Sequence, residues 1–156
     1  MAWKNVLVYS EKEDVLLQIM GKGRELADKL GGDLVALLIG SDIEGAGELS
    51  AYGANKILVA DDPSLEIFSV EPYEAALLKA FGTANSHVVL IGATKRGKEL
   101  AARVAAALET GCMTECFSLD IDNGGRLIAE RLTYGGSTIA TEASSKAPHI
   151  ATVPSR

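Results

Sequence analysis

Cysteine, histidine and aromatic residues are scarce in this 156-residue sequence, which has two cysteines, two histidines and only 5% Phe, Trp and Tyr. A structural metal site needs about four nitrogen or sulfur ligands, and Cys112 and Cys116 lie far along the chain from both histidines. We therefore predict no metal site. A disulfide between these two cysteines would close a loop too short to restrain the unfolded chain, so we interpret both as reduced thiols.

Long apolar runs are also lacking, since no stretch approaches the roughly 20 residues needed to span a bilayer. The first residues lead directly into a strand-like segment without the apolar region of a signal peptide, so we expect a cytoplasmic protein with no membrane partner. Basic residues are outnumbered, 15 against 21 acidic ones, and the resulting charge of −6 is the wrong sign for binding phosphate backbones. We therefore expect no nucleic acid partner.

The overall composition is that of a soluble globular protein, with 47% hydrophobic and 23% charged residues. A chain of this length can bury enough apolar surface to fold as one unit. No internal repeat, linker or low-complexity tract interrupts it. The sequence therefore predicts a single domain over residues 1–156.

Strand and helix patterns alternate through the first two thirds of the chain. Apolar, β-branched runs predict strands at residues 5–10, 33–39, 56–60 and 87–91. Helical periodicity predicts one helix over residues 15–30, a weaker one over 44–51, one that begins at Pro72, and one that ends at Gly111. This alternation is typical of an α/β protein with a doubly wound, three-layer parallel sheet.

The last third has a different pattern. Apolar and polar residues alternate over residues 117–121, a glycine turn follows at 123–125, and a second apolar run covers 127–132. Further strands are expected at 138–143 and 149–153. We predict an antiparallel extension here, and its edge strands could pair two copies of the chain into a homodimer.

The segment between the fourth predicted strand and the next helix is the best candidate for a small-ligand site. Backbone amides, the helix dipole and basic side chains could hold an anion or nucleotide there. The candidate residues are Gly92, Thr94, Lys95, Arg96 and Gly97. Glu99 stands where a P-loop has Ser or Thr, so the segment is not a P-loop. The alternative is a tight turn whose basic side chains are solvated.

A second glycine-rich loop is a candidate contact with a ligand or a partner chain. Its residues are Tyr134, Gly135 and Gly136. Glycines lack the side chain that would block a close approach, although a plain turn explains them equally well. His87 and His149 have no serine or cysteine nucleophile in a recognisable setting near them in sequence, so we interpret both as structural.

Two segments carry a family resemblance. Residues 52–63 (YGANKILVADDP) and 89–101 (VLIGATKRGKELA) resemble the pattern of electron transfer flavoprotein alpha subunits, in the same order along the chain. The similarity continues through residues 110–111, 119–121, 134–136 and the ending at 148–154. Two positions depart from the family pattern: Ser137 replaces a usual asparagine and Leu132 a usual proline.

The resemblance implies an adenine-nucleotide-hydrolase-like fold and the role of the amino-terminal, non-flavin domain. Such a domain pairs with a beta-like subunit, or a separate flavin-binding chain, and supports electron transfer by a flavin held elsewhere. No catalytic residue is carried over, so we do not expect an enzyme. We expect no cofactor on this chain alone, with FAD implied through a missing domain or partner. The alternative is an AMP- or ATP-binding module of the universal-stress-protein type.

Overall fold

The computed structural model describes residues 2–156, which form two β-sheets and three α-helices. In chain order the strands are β1 (Asn5–Tyr9), β2 (Leu34–Gly40), β3 (Lys56–Asp61), β4 (Ser86–Gly92), β5 (Cys112–Met113), β6 (Cys116–Ile121), β7 (Leu127–Thr133), β8 (Thr138–Ala143) and β9 (His149–Val153). The helices are α1 (Glu13–Leu30), α2 (Val70–Thr83) and α3 (Lys95–Ala107). Short 3-10 helices cover Ala46–Tyr52, Pro63–Leu65 and Tyr134–Gly136.

The main sheet has the strand order β3-β2-β1-β4-β9-β5, and all neighbouring strands are parallel. This confirms the predicted doubly wound α/β architecture. Strand β9 corrects one expectation, because residues 149–153 belong to this parallel sheet and not to the antiparallel extension. They pair with β4 on one side and with the two-residue strand β5, which the sequence did not predict, on the other.

The second sheet is antiparallel, with the order β6-β7-β8, and it confirms the predicted extension. The turn between β6 and β7 is closed by backbone hydrogen bonds between Asp122 and both Gly125 and Arg126, each 3.0 Å long. Leu119, Leu127 and Ala129 from this sheet are buried in the same cluster as the α1 side chains. The small sheet therefore covers part of the face of the main sheet on which α1 lies.

The central strands are buried on both faces. Val6 and Val8 of β1 point into the core formed with α1 and the small sheet, whereas Leu7 and Tyr9 point into the core formed with α2 and α3. Side chains alternate across a strand, so a strand covered on both sides is apolar at most of its positions. This explains why β1 and β4 appear as continuous apolar runs in the sequence.

Two predicted helix boundaries are wrong. Pro72 was expected at the first helical position, but α2 begins at Val70, so the proline is the third residue. It is tolerated there because the first four amides of a helix have no carbonyl acceptor within it. Gly111 was expected to end α3, but that helix ends at Ala107 and Glu109 adopts the left-handed backbone, with φ of 54°.

The start of α3 lies unusually close to the end of β4, and Gly97 makes this approach possible. A Cβ atom at residue 97 would lie 1.9 Å from the carbonyl oxygen of Gly92. Neither group can move aside easily, because that carbonyl is backbone at the end of a buried strand. Glycine is therefore required at this position by packing and not by a turn.

His87 and His149 pack against each other in the main sheet, and His87 contacts the β6–β7 turn. Their rings are 4.9 Å apart in an edge-to-face arrangement, and His87 Nε2 donates to the carbonyl of Gly125 in the β6–β7 turn at 2.6 Å. His149 is 2% exposed, and its Nδ1 has no hydrogen-bond partner among the described residues. Burial, and then the charge of His87, lowers the pKa of His149 from 6.5 to about 4. Both histidines thus have packing roles.

We expect Gly97→Ala to destabilise the protein by about 3 kcal/mol, because the added methyl group overlaps the Gly92 carbonyl. Gly21→Ala is the matched control, since Gly21 is also helical and a Cβ there meets nothing within 4 Å. This second substitution should stabilise the protein by roughly 0.5–1 kcal/mol. Urea unfolding measures both, and a Gly97→Ala protein as stable as the Gly21→Ala protein would contradict the close approach.

We expect the free energy of unfolding to fall by roughly 2 kcal/mol between pH 8 and pH 5 through His149 alone. Between pH 6.5 and about 4 the unfolded chain binds a proton at His149 that the folded protein does not. The stability that comes from the neutral, buried His149 is therefore fully present above pH 6.5 and is lost as the pH falls towards 4. His149→Leu should remove this part of the pH dependence in urea titrations at both pH values. If the free energy of unfolding of the His149→Leu protein falls as much between pH 8 and pH 5, His149 is not the source of this pH dependence.

Candidate functional site

The predicted anion loop, residues 92–97, connects the end of β4 to the start of α3. Ala93 donates its amide to the carbonyl of Val153 at 2.8 Å, which fixes the loop to β9. Thr94 is the residue before α3, and its hydroxyl oxygen accepts a hydrogen bond from the amide of Gly97 at 2.9 Å. The structure therefore places Gly92, Thr94, Lys95, Arg96 and Gly97 together at a strand–loop–helix junction.

A carboxylate of the chain itself contacts this loop. The hydroxyl of Thr94 donates a hydrogen bond to Glu11, and the Arg96 guanidinium lies 3.5 Å from the other carboxylate oxygen of Glu11. The Glu11 side chain is only 19% exposed. Arg96 also lies 4.7 Å from the centre of the Phe68 ring. Two of the predicted ligand-binding side chains thus have partners within the chain.

The loop forms one wall of a cavity of about 570 Å³ at the carboxyl ends of the central strands. Phe68 and Tyr73 contribute aromatic rings 4.8 Å apart, and Lys95 also lines the cavity. The Tyr73 hydroxyl donates to the carbonyl of Leu65 at 2.7 Å. Sequence reasoning missed Glu11, Phe68 and Tyr73, because they lie in other segments and belong to no motif.

The second predicted site loop, Tyr134–Gly136, connects β7 to β8 and lies in the other sheet. All three residues have positive φ values, of 50°, 65° and 92°. Ser137 donates its hydroxyl to the Tyr134 carbonyl at 2.8 Å, so the residue that departs from the family pattern closes the turn. Tyr134 is 88% exposed. The loop therefore presents an aromatic ring to solvent at the end of a hairpin.

Leu132, the other departure from the family pattern, lies within β7 opposite Ile139. A proline has no amide to donate to a strand ladder. With leucine at this position, β7 continues to Thr133. The hairpin therefore keeps strand pairing up to its turn.

The residues of the large cavity do not fit FAD. Glu11 and Glu66 both line it, and their carboxylates would repel a pyrophosphate group. The loop also lacks the three-glycine fingerprint that lets a backbone approach such a group. We therefore assign no electron-transfer step to a flavin bound within residues 2–156.

The two cysteines are free thiols, with Cys116 buried and Cys112 partly buried. Burial raises the pKa of both, that of Cys116 to about 12, so both are protonated near neutral pH. Across residues 2–156 the structure has no group of three or more metal-ligating side chains. Nor does the described part of the chain contain a helix with the length and apolar character of a membrane span.

Comparison with known proteins relates this arrangement to one family. The family model described as "Electron transfer flavoprotein domain" matches residues 6–156. The "Electron transfer flavoprotein subunit alpha" of Clostridium acetobutylicum is 40% identical over 159 residues, covering 97% of this chain and 47% of the relative. "Protein FixB" of Clostridium saccharobutylicum is 37% identical over 158 residues, with the same two coverages.

A more distant relative is the "Acryloyl-CoA reductase electron transfer subunit beta" of Anaerotignum propionicum, which is 36% identical over 127 residues. That match covers 78% of this chain and 35% of the relative. The chain spans about half the length of the first two relatives. The similarity to them extends over both sheets, and it agrees with the resemblance seen in residues 52–63 and 89–101. The chain belongs to the electron transfer flavoprotein family.

Proposed function

We propose that residues 1–156 form one scaffold domain of the alpha-subunit type, which pairs with a beta-type electron transfer flavoprotein subunit. In this role the domain has no enzymatic activity and supports electron transfer by a flavin held outside it, on a further domain or on another chain. The family match over residues 6–156 and the relative named as an alpha subunit support this proposal. The observation that carries it is an exposed apolar hairpin.

The β7–β8 hairpin exposes large apolar side chains beyond the hydrophobic core. Leu132 and Ile139 are cross-strand neighbours and are 55% and 61% exposed, and Tyr134 at the turn is 88% exposed. Contiguous exposed apolar side chains are typical of protein interaction surfaces. Aromatic residues such as Tyr134 are enriched in the centres of such surfaces.

The outer edge of β8 offers backbone groups to the same partner. Within the described chain β8 pairs with β7 on one side only, and all of its residues are at least partly exposed. An exposed strand edge is a template for pairing with another chain. We propose that a beta-type subunit covers Leu132, Ile139 and the Tyr134–Gly136 loop, and that β8 borders this contact.

The two alternatives weighed from the sequence are not favoured. A universal-stress-protein-type nucleotide site would place phosphates at the loop that Glu11 already contacts. A homodimer through β8 would use the same surface as the proposed partner. The mass of the complex, measured by light scattering as described below, distinguishes the two assemblies.

We expect Ile139→Arg to weaken binding to the beta-type subunit at least about tenfold, because a charged side chain would have to be desolvated in an apolar contact. Ile67→Arg is the matched control, since Ile67 is 81% exposed and lies between a 3-10 helix and α2, outside the hairpin. Both variants should melt within a few degrees of the unsubstituted protein. Affinity is measured by biolayer interferometry with the purified subunit from the same organism.

Two results would count against this surface. Equal affinity of the Ile139→Arg and Ile67→Arg proteins would remove the hairpin from the interface. A complex whose mass in light scattering equals two copies of this chain, in the presence of the beta-type subunit, would favour the homodimer instead.

A further inference from the structure

A second cavity, of about 450 Å³, lies at the amino ends of three neighbouring strands of the main sheet. Strands β1, β4 and β9 are adjacent and parallel, so the segments that precede them meet at one edge of the sheet. Trp3 precedes β1, Ser86 and His87 begin β4, and Pro148 precedes β9. The cavity is therefore at the opposite edge from residues 92–97, which follow β4.

Aromatic rings form much of the lining of this cavity. Trp3 and Phe81, which lies near the end of α2, pack edge to face with their ring centres 5.2 Å apart. Both line the cavity together with the imidazole of His87. Trp3 is still 41% exposed, so part of its ring is available to a further partner. Aromatic rings pair favourably with other rings, which makes the lining suited to a planar aromatic molecule.

The lining also indicates the charge of a ligand. Among the lining residues in the described part of the chain there is no lysine, arginine, aspartate or glutamate. An ionised ligand would lose its hydration at this cavity without gaining an opposite charge, and that loss is costly. The cavity therefore favours a neutral molecule.

Ser86 adds a polar group that lacks a partner. It lines the cavity and is 1% exposed, and its hydroxyl has no hydrogen-bond partner among residues 2–156. Buried hydroxyl groups normally have one. A hydroxyl can donate and accept, so a nitrogen atom of a bound ring would supply the missing hydrogen bond.

His87 is held in one orientation and one tautomer. Its Nε2 lies 2.6 Å from the carbonyl oxygen of Gly125, which can only accept, so Nε2 carries a proton. In the neutral ring Nδ1 is then an acceptor. The packing of its ring against His149 also restricts the side chain. The polar side chains of the lining thus include both a donor and an acceptor.

We propose that this cavity binds a neutral, planar heteroaromatic molecule of one or two fused rings, which packs beside Trp3 and Phe81 and forms a hydrogen bond with the Ser86 hydroxyl. A volume of about 450 Å³ is within the range of small-molecule sites. The inference does not depend on the partner proposed above, because no residue of the β7–β8 hairpin lines the cavity.

The test uses benzimidazole, a fused heteroaromatic ring that has one N–H donor and one nitrogen acceptor and is neutral at pH 8. Trp3 is the only tryptophan of the sequence, so its fluorescence reports on this cavity directly. We expect a saturable change in this fluorescence with a dissociation constant below about 1 mM. Isothermal titration calorimetry should give the same constant, and the absence of a saturable signal up to about 5 mM by both methods would overturn the proposal.

The Ser86→Ala variant tests the hydrogen bond to the ligand. We expect its affinity for benzimidazole to fall roughly threefold to tenfold, which corresponds to one hydrogen bond between neutral groups. Its melting temperature should not fall, because the substitution removes a buried hydroxyl that has no partner in the free protein. This measurement shows that any loss of affinity does not come from unfolding.

Ser118→Ala is the matched control, since Ser118 is a partly exposed strand residue of β6 that does not line the cavity. This variant should bind benzimidazole within about twofold of the unsubstituted protein. If Ser86→Ala binds as tightly as Ser118→Ala, the Ser86 hydroxyl does not contact a bound ring and the proposal is overturned.

Discussion

The burial of β1 and β4 on both faces is the constraint from which the rest of this structure follows. A strand that is apolar at most positions must be covered on both sides, and here the three helices share this task with the small antiparallel sheet. Helices α2 and α3 cover one face, whereas α1 shares the other with the small antiparallel sheet. The small sheet is thus part of the core at Leu119, Leu127 and Ala129.

The same sheet extends beyond the core at its other end. Strand β7 buries Leu127 and Ala129 near the main sheet, whereas Leu132, five residues further along, is mostly exposed. The hairpin therefore joins a buried anchor to an exposed apolar tip. A rigid strand that is fixed at one end holds its tip in a defined position, which suits the proposed contact with a beta-type subunit.

In the main sheet the start of α3 lies close to the end of β4, beside the cavity that Thr94, Lys95 and Arg96 line. Gly97 allows the helix start to reach the strand end, and Thr94 is thereby held within reach of Glu11. The Glu11 carboxylate lies at the start of α3, where the helix dipole attracts negative charge. The basic, glycine-containing loop is therefore contacted by a residue that belongs to no local motif.

The sequence alone determined most of the elements and their order, because periodicity and turn residues report on neighbours within a few positions. It predicted the parallel sheet, the antiparallel extension, the strand–loop–helix junction at residues 92–97 and the family. Tertiary structure decided that β9 joins the main sheet beside β4, and that Glu11, 83 positions away, contacts Thr94. These contacts depend on which buried faces meet once the layers assemble, and a local pattern of apolar residues carries no record of that choice.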